Sequence, residues 1–199
     1  MIKAILFDVD GVVVKNRGRY FSEKYSEEYK IPLDQVSIFF KTEFGNCVRG
    51  KADLRDVLPP FLQQWGWSKS LDQFLSYWFE SEKELDTELL AMIDRFRQLG
   101  INCYLVSDQE KNRANYLMTQ TDLANHFDKA FFSMDLGYKK SEPEFFKNVL
   151  NKLDYAPNEL MYWDDDPKNV DIAKQFQIDG RTYSTLADFE EQMKGEVNV

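Results

Sequence analysis

Ile2-Lys3-Ala4-Ile5-Leu6-Phe7-Asp8-Val9-Asp10-Gly11-Val12-Val13 is the stretch from which the rest of the chain can be read. It is apolar with almost no polar relief, the composition of a strand buried on both faces, as in parallel sheets. The run ends in two carboxylates one residue apart, and Gly11 then lets the chain turn away. Ligands of open α/β sheets bind at the carboxyl ends of the strands. Two acids placed there repel each other unless a cation lies between them, so a metal is the natural guest. A strand followed by an acidic turn would read the same way, and the decision falls to the sequence downstream.

Downstream, strands and helices alternate. Asn102-Cys103-Tyr104-Leu105-Val106 reads as a strand ending at Ser107-Asp108, and Lys129-Ala130-Phe131-Phe132 as another. Leu160-Met161-Tyr162-Trp163 runs into Asp164-Asp165-Asp166, and Gly180-Arg181-Thr182-Tyr183 is a last short strand. Between them lie helical patterns. One starts at Asp86 or Thr87, turns Leu89, Leu90, Ile93 and Phe96 inward and closes at Gly100. Others cover 111–119 with a shorter one to His126, then 142–153 with Pro143 in its first turn, 169–177 and 186–193. From Gly195 a frayed tail is expected. Such alternation implies an α/β fold, a Rossmann-like parallel sheet with right-handed crossovers.

Residues 15–85 break the alternation. After the polar run Lys15-Asn16-Arg17-Gly18-Arg19, Phe21, Tyr25 and Tyr29 recur at i+4 spacing until Pro32 stops the helix. Leu33 to Lys41 is a second helix. Asp53 caps a third through Leu62, which Pro59 and Pro60 bend or interrupt, and Ser70 caps one carrying Leu71, Phe74, Leu75, Trp78 and Phe79. The block is too long for a loop and shows no strand. The expected organisation is a core of residues 1–14 and 86–199, with 15–85 as a small all-α cap over the carboxyl edge of the sheet.

Composition narrows the partners. A net charge of −9 argues against nucleic acid and anionic membranes, although local cations leave room for a small phosphorylated metabolite. Cys47 and Cys103, far apart in apolar surroundings, read as buried thiols of a reducing compartment. Neither a secretory segment nor an apolar run of membrane-spanning length is evident, so a soluble cytoplasmic protein is expected, as a monomer or homodimer.

Four strand ends now carry polar groups: Asp8 with Asp10, Ser107, the loop bearing Lys140, and Asp164 with Asp165. Each alone is commonplace, since a serine after a strand usually caps a helix and an acidic triplet before proline usually turns. In this order they resemble the haloacid dehalogenase superfamily in its phosphatase branch. Phe7-Asp8-Val9-Asp10-Gly11 matches the first motif and Val106-Ser107 the second. Gly137-Tyr138-Lys139-Lys140-Ser141-Glu142-Pro143-Glu144-Phe145-Phe146 resembles the third, and Tyr162-Trp163-Asp164-Asp165-Asp166-Pro167-Lys168-Asn169-Val170 the fourth. The resemblance spans the core from Met1 to about Tyr183, and the helical block resembles the family's cap. Two positions depart from the pattern: Ser141 follows Lys140 where proline is usual, and Asp108 stands where asparagine is frequent.

The resemblance implies a mechanism for phosphate monoesters, whose own charge repels nucleophiles and makes neutralisation and positioning the main task. Asp8 would be the nucleophile, and Asp10 the acid for the leaving group and then the base for water. Mg2+ would bind the Asp8 carboxylate, the backbone carbonyl of Asp10, and Asp165, with Asp164 as a further ligand or an orienting group. Ser107 and Lys140 would hold the phosphoryl oxygens, and Asp108 would add negative charge beside them. Asp166 is expected as a turn or cap acid, His126 as structural or surface, and Trp163 as core. Phe44-Gly45-Asn46-Cys47-Val48-Arg49-Gly50-Lys51 is a candidate specificity loop from which Arg49 would reach substrate, or else a plain linker. The compact cap and Asp135-Leu136-Gly137 look most like the sugar-phosphatase and epoxide-hydrolase-associated relatives, which suggests a sugar or polyol phosphate.

Rival readings differ in kind. The dehalogenase branch lacks the second acid and the metal, so Asp10 and the Asp164–Asp165 pair speak against it. A phosphomutase or phosphotransferase keeps every motif and differs only in the acceptor. A signalling receiver places its acid pair and its phosphorylated aspartate in another order, and a non-catalytic phospho-binding module has no need of the full charged set.

Overall fold

The computed structural model describes residues 1–15 and 18–196. Five strands form one parallel sheet: β1 (Ala4–Phe7), β2 (Asn102–Ser107), β3 (Lys129–Phe132), β4 (Leu160–Asp164) and β5 (Asp179–Thr182), in the order β3-β2-β1-β4-β5. All four residues of β1 are buried, and they alternate between two apolar layers. Ile5 and Phe7 join a cluster with Leu89, Ile93, Phe96, Leu117 and Phe189, while Ala4 and Leu6 face Phe145, Phe146, Val149 and Ala173. A central strand covered on both faces has no use for a polar side chain, which accounts for its composition.

Between β1 and residue 85 the described residues form six helices: α1 (Phe21–Tyr29), α2 (Leu33–Lys41), α3 (Phe44–Val48), α4 (Leu54–Val57), α5 (Pro59–Gln64) and α6 (Leu71–Glu80). They share an apolar cluster of their own, built on Phe21, Tyr25, Phe39, Trp65, Phe74 and Trp78. The chain leaves and re-enters the core through one neck. There Val14 bridges Leu85, Lys15 N donates to Glu84 O at 2.8 Å, and Asp86 N to Val13 O at 2.9 Å.

The remaining helices flank the sheet: α7 (Thr87–Gln98), α8 (Lys111–Gln120), α9 (Ser133–Leu136), α10 (Pro143–Leu150), α11 (Pro167–Gln175) and α12 (Leu186–Met193), with 3-10 turns at Leu123–His126 and Pro157–Glu159. Asp86 caps α7 and Ser70 caps α6 through their side chains, as read from the sequence. No helix among the described residues is long and apolar enough to cross a membrane. Cys47 and Cys103 are buried and free.

Several local expectations need correction. The segment expected as a loop at 44–51 is largely the helix α3, because Phe44 and Cys47 find apolar partners in the helical block, Val48 is buried, and Gly50, at φ 67°, makes the turn instead. The helix from Asp53 is interrupted at Leu58 ahead of Pro59, as its prolines predict, but its second part runs past Leu62 to Gln64. Helix α11 starts at Pro167, two residues before Asn169, since proline is tolerated at the first helical position. The tail does not fray at once: Glu196 Oε1 lies 2.6 Å from Arg181 Nη2. The rest of that tail, and Asn16 and Arg17 of the polar run, lie outside the described residues.

Candidate active site

Strand order reverses direction at β1, which has β2 on one side and β4 on the other, so a crevice opens beyond their carboxyl ends. Asp8 is the first residue past β1. Its N–H donates to Trp163 O at 2.9 Å, and its Oδ1 accepts from Val9 N at 2.7 Å. Lys140 Nζ sits between two carboxylates, 2.6 Å from Asp8 Oδ1 and 2.7 Å from Asp164 Oδ2. All three side chains are buried, with Asp164 at 0% exposure and the other two at 5%.

Several partners fix this row. Asp164 also accepts from the Tyr162 hydroxyl, Asp166 N and Asn169 Nδ2. Asp108 Oδ1 accepts from Lys140 N at 2.9 Å, so the acid that departs from the family pattern anchors the loop carrying the lysine. Burial pushes the Asp8 carboxyl up against the pull of Lys140. Burial works against the Lys140 ammonium too, but Asp8 and Asp164 carry it above its ordinary value, so it stays charged.

Asp165 stands at the mouth of the crevice, its carboxyl raised by burial and then by Asp164. It lies directly over Gly11, where a Cβ would fall 2.2 Å from Asp165 Oδ2; only glycine, here at φ 86°, leaves that carboxylate room. Asp8, Asp164 and Asp165 each offer an oxygen, all within 4.8 Å of one another. A set of hard carboxylate oxygens fits a hard divalent cation. Asp164 is the most heavily engaged of the three, which suits an orienting group better than a free ligand.

Asp10 faces a partner set that sequence reasoning missed. Arg113, on α8, places Nη1 2.6 Å from Asp10 Oδ2 and Nη2 2.6 Å from Oδ1. Gln109 Nε2 donates to Asp10 Oδ2 at 2.7 Å and to Ser107 Oγ at 3.2 Å. Burial opposes ionisation of Asp10, yet Arg113 and Gln109 hold its carboxyl below the ordinary value. The signal for Arg113 was present: it lies four residues before Leu117 and next to Ala114, both buried, so helical spacing turns it inward. Tyr162 was legible likewise, two residues before Asp164 on one strand face.

The other candidates are placed as follows. Ser107 is buried beside Gln109. Arg49 Nε donates to Glu142 Oε2 at 3.0 Å and its Nη1 to Gly45 O at 3.2 Å, so it links the helical block to the loop after Lys140. Asp166 caps α11, accepting from Lys168 N. His126 lies between Asp94 and Asp122. Trp163 is wholly buried, its ring 4.7 Å from that of Phe189.

The family model of haloacid dehalogenase-like hydrolases matches residues 2–177. A phosphorylated carbohydrates phosphatase of Thermotoga maritima is 23% identical over 192 residues, covering 93% of this chain and 86% of that protein. A D-ribitol-5-phosphate phosphatase of Bacteroides thetaiotaomicron is 23% identical over 206 residues, 97% of each. A haloacid dehalogenase-family enzyme from the same bacterium, solved with magnesium and inorganic phosphate, superposes with a TM-score of 0.77 at 20% identity, over 94% of this chain and 96% of that one. At that identity the superposition speaks to the fold.

Proposed function

The chain belongs to the haloacid dehalogenase-like hydrolases, and from that premise we propose that it is a Mg2+-dependent phosphatase. Its substrate would be a small phosphorylated metabolite of the reducing cytoplasm, a sugar or polyol phosphate. The observation that carries this reading is the buried row Asp8–Lys140–Asp164 with Asp165 beside it. A lysine held between carboxylates in a dry site presents one nucleophile and one fixed cation to a phosphoryl group. The phosphatase names of the two relatives support the substrate class.

Asp8, Asp165 and the Asp10 carbonyl are the groups to hold Mg2+, with Asp164 orienting them. When bound, the ion neutralises charge on the phosphoryl oxygens. An Asp8 carboxylate oxygen attacks phosphorus as the bond to the leaving oxygen breaks, and Asp10, protonated for this step against the pull of Arg113 and Gln109, gives that oxygen a proton. Asp10 then takes a proton from a water whose oxygen attacks the aspartyl-phosphate, breaking the Asp8–phosphorus bond and releasing inorganic phosphate. Lys140 and Ser107 hold the phosphoryl oxygens. Residues 15–85 act as the cap, closing over the leaving group to exclude water.

The test is a panel of phosphorylated metabolites with and without Mg2+, measured as free inorganic phosphate. Sugar and polyol phosphates should turn over only with the ion, and Asp8→Asn should abolish turnover. Persistent hydrolysis by D8N would end the aspartyl-phosphate reading, and loss of substrate without free phosphate would point to a phosphotransferase.

A further inference from the structure

We propose that Arg113, seconded by Gln109, is the positioning residue for Asp10. The inference rests on the phosphatase reading and deepens it. A carboxylate offers about four lone-pair positions to donors. On Asp10 three are filled: Arg113 Nη1 and Gln109 Nε2 reach Oδ2, and Arg113 Nη2 reaches Oδ1. One position, on Oδ1, is left for the reacting partner. The Arg113 side chain is 8% exposed and that of Asp10 is 47%, so the fork grips from inside while the carboxylate keeps an open side.

The grip is specific to a guanidinium. Arg113 Nη1 also donates to Gln109 Oε1 at 3.1 Å, and Nη2 to the carbonyl of Glu82 at 3.1 Å. Its Nε is buried and has no partner among the described residues. Both terminal amines are thereby spent on their acceptors. Glu82 stands three residues before Leu85, which bridges Val14 in the neck between cap and core. One buried side chain therefore fixes the plane of the proton-transferring carboxylate and ties it to the segment on which the cap is seated.

Lysine keeps the charge and loses the fork, so Arg113→Lys isolates geometry. The readout is kcat/KM with Mg2+ on two esters, an alkyl phosphate, whose leaving oxygen needs a proton, and 4-nitrophenyl phosphate, whose leaving oxygen does not. Asp10→Asn sets the reference pattern. R113K should follow that pattern, losing about 10- to 100-fold on the alkyl ester and less than about threefold on the aryl ester. Inhibition by inorganic phosphate should stay at the wild-type level. Should R113K unfold, Gln109→Met, which leaves the ion pair intact, must show the same selectivity at smaller size. Equal losses on both esters, or none, would make Arg113 a structural residue only and leave the phosphatase reading standing. A wild-type protein that hydrolyses neither ester ends both.

Discussion

Lys140 is the residue on which the buried charge of the site balances. Asp8 and Asp164 share one ammonium, and neither has water to fall back on. Removing one partner of a buried charged set leaves the others uncompensated and costs about 3–5 kcal/mol. Lys140→Met keeps the stem and deletes the charge, so it should lose stability of that order in urea denaturation. Burial pushes the Asp8 carboxyl up to about 8 even with Lys140 pulling it down. Without the lysine it stands higher still, so below about pH 7 both folded proteins hold the proton and the deficit is level. It should widen as pH rises above about 8, where the wild type ionises Asp8 and K140M does not. A deficit that does not grow over that range would show that Asp8 does not feel the lysine. Asp8, Asp10, Asp164 and Asp165 were legible as candidates because each ends a strand or follows one, and Lys140 because the run around it resembles a motif of the family. Arg113 was not read: its bond to Asp10 joins positions 103 apart, and local sequence shows only that the side chain turns inward.

At the scale of elements, strands and amphipathic helices were readable from period and caps, whereas the segment at 44–51 was not. Its glycines suggested a loop, but packing of Phe44 and Cys47 into the helical block made a helix, and the turn fell to Gly50. Gly50 has φ 67°, and a Cβ there would lie 2.2 Å from Met134 O in α9. Gly66 has φ 71° with nothing within 4 Å. The two glycines separate conformational strain from contact. Gly66→Ala should cost about 1–2 kcal/mol, the left-handed penalty alone. Gly50→Ala should cost about 1–3 kcal/mol more, because backbone must move to admit the methyl group. Both are measured by chemical denaturation. Equal losses would mean that helical block and core are not in close contact at Met134.

For the whole molecule, the alternation of strand and helix sufficed to place a parallel sheet and an inserted helical block, but not how the two are fastened. Docking of α3 on α9 and of α4 on α8 pairs residues remote in sequence, and nothing in either segment alone announces it. The fastening has two parts of different strength. At the neck it is backbone: Lys15 N to Glu84 O and Asp86 N to Val13 O. On the far side it is mostly side chains, with Arg49 on Glu142 and Arg55 on Asn112. Partly exposed ion pairs are worth about 0.2–1 kcal/mol each. Asp8 is 4% exposed, and the far side is where contacts between block and core are weakest. Replacing Arg49 and Arg55 together by alanine should leave global stability within about 2 kcal/mol of wild type. Amide exchange at Gly50 and Lys51 should quicken by about three- to thirtyfold, while Lys15 and Asp86 in the neck keep their wild-type protection. Equal acceleration at both places would mean that block and core part as one cooperative unit, with no hinge at Val14 and Leu85.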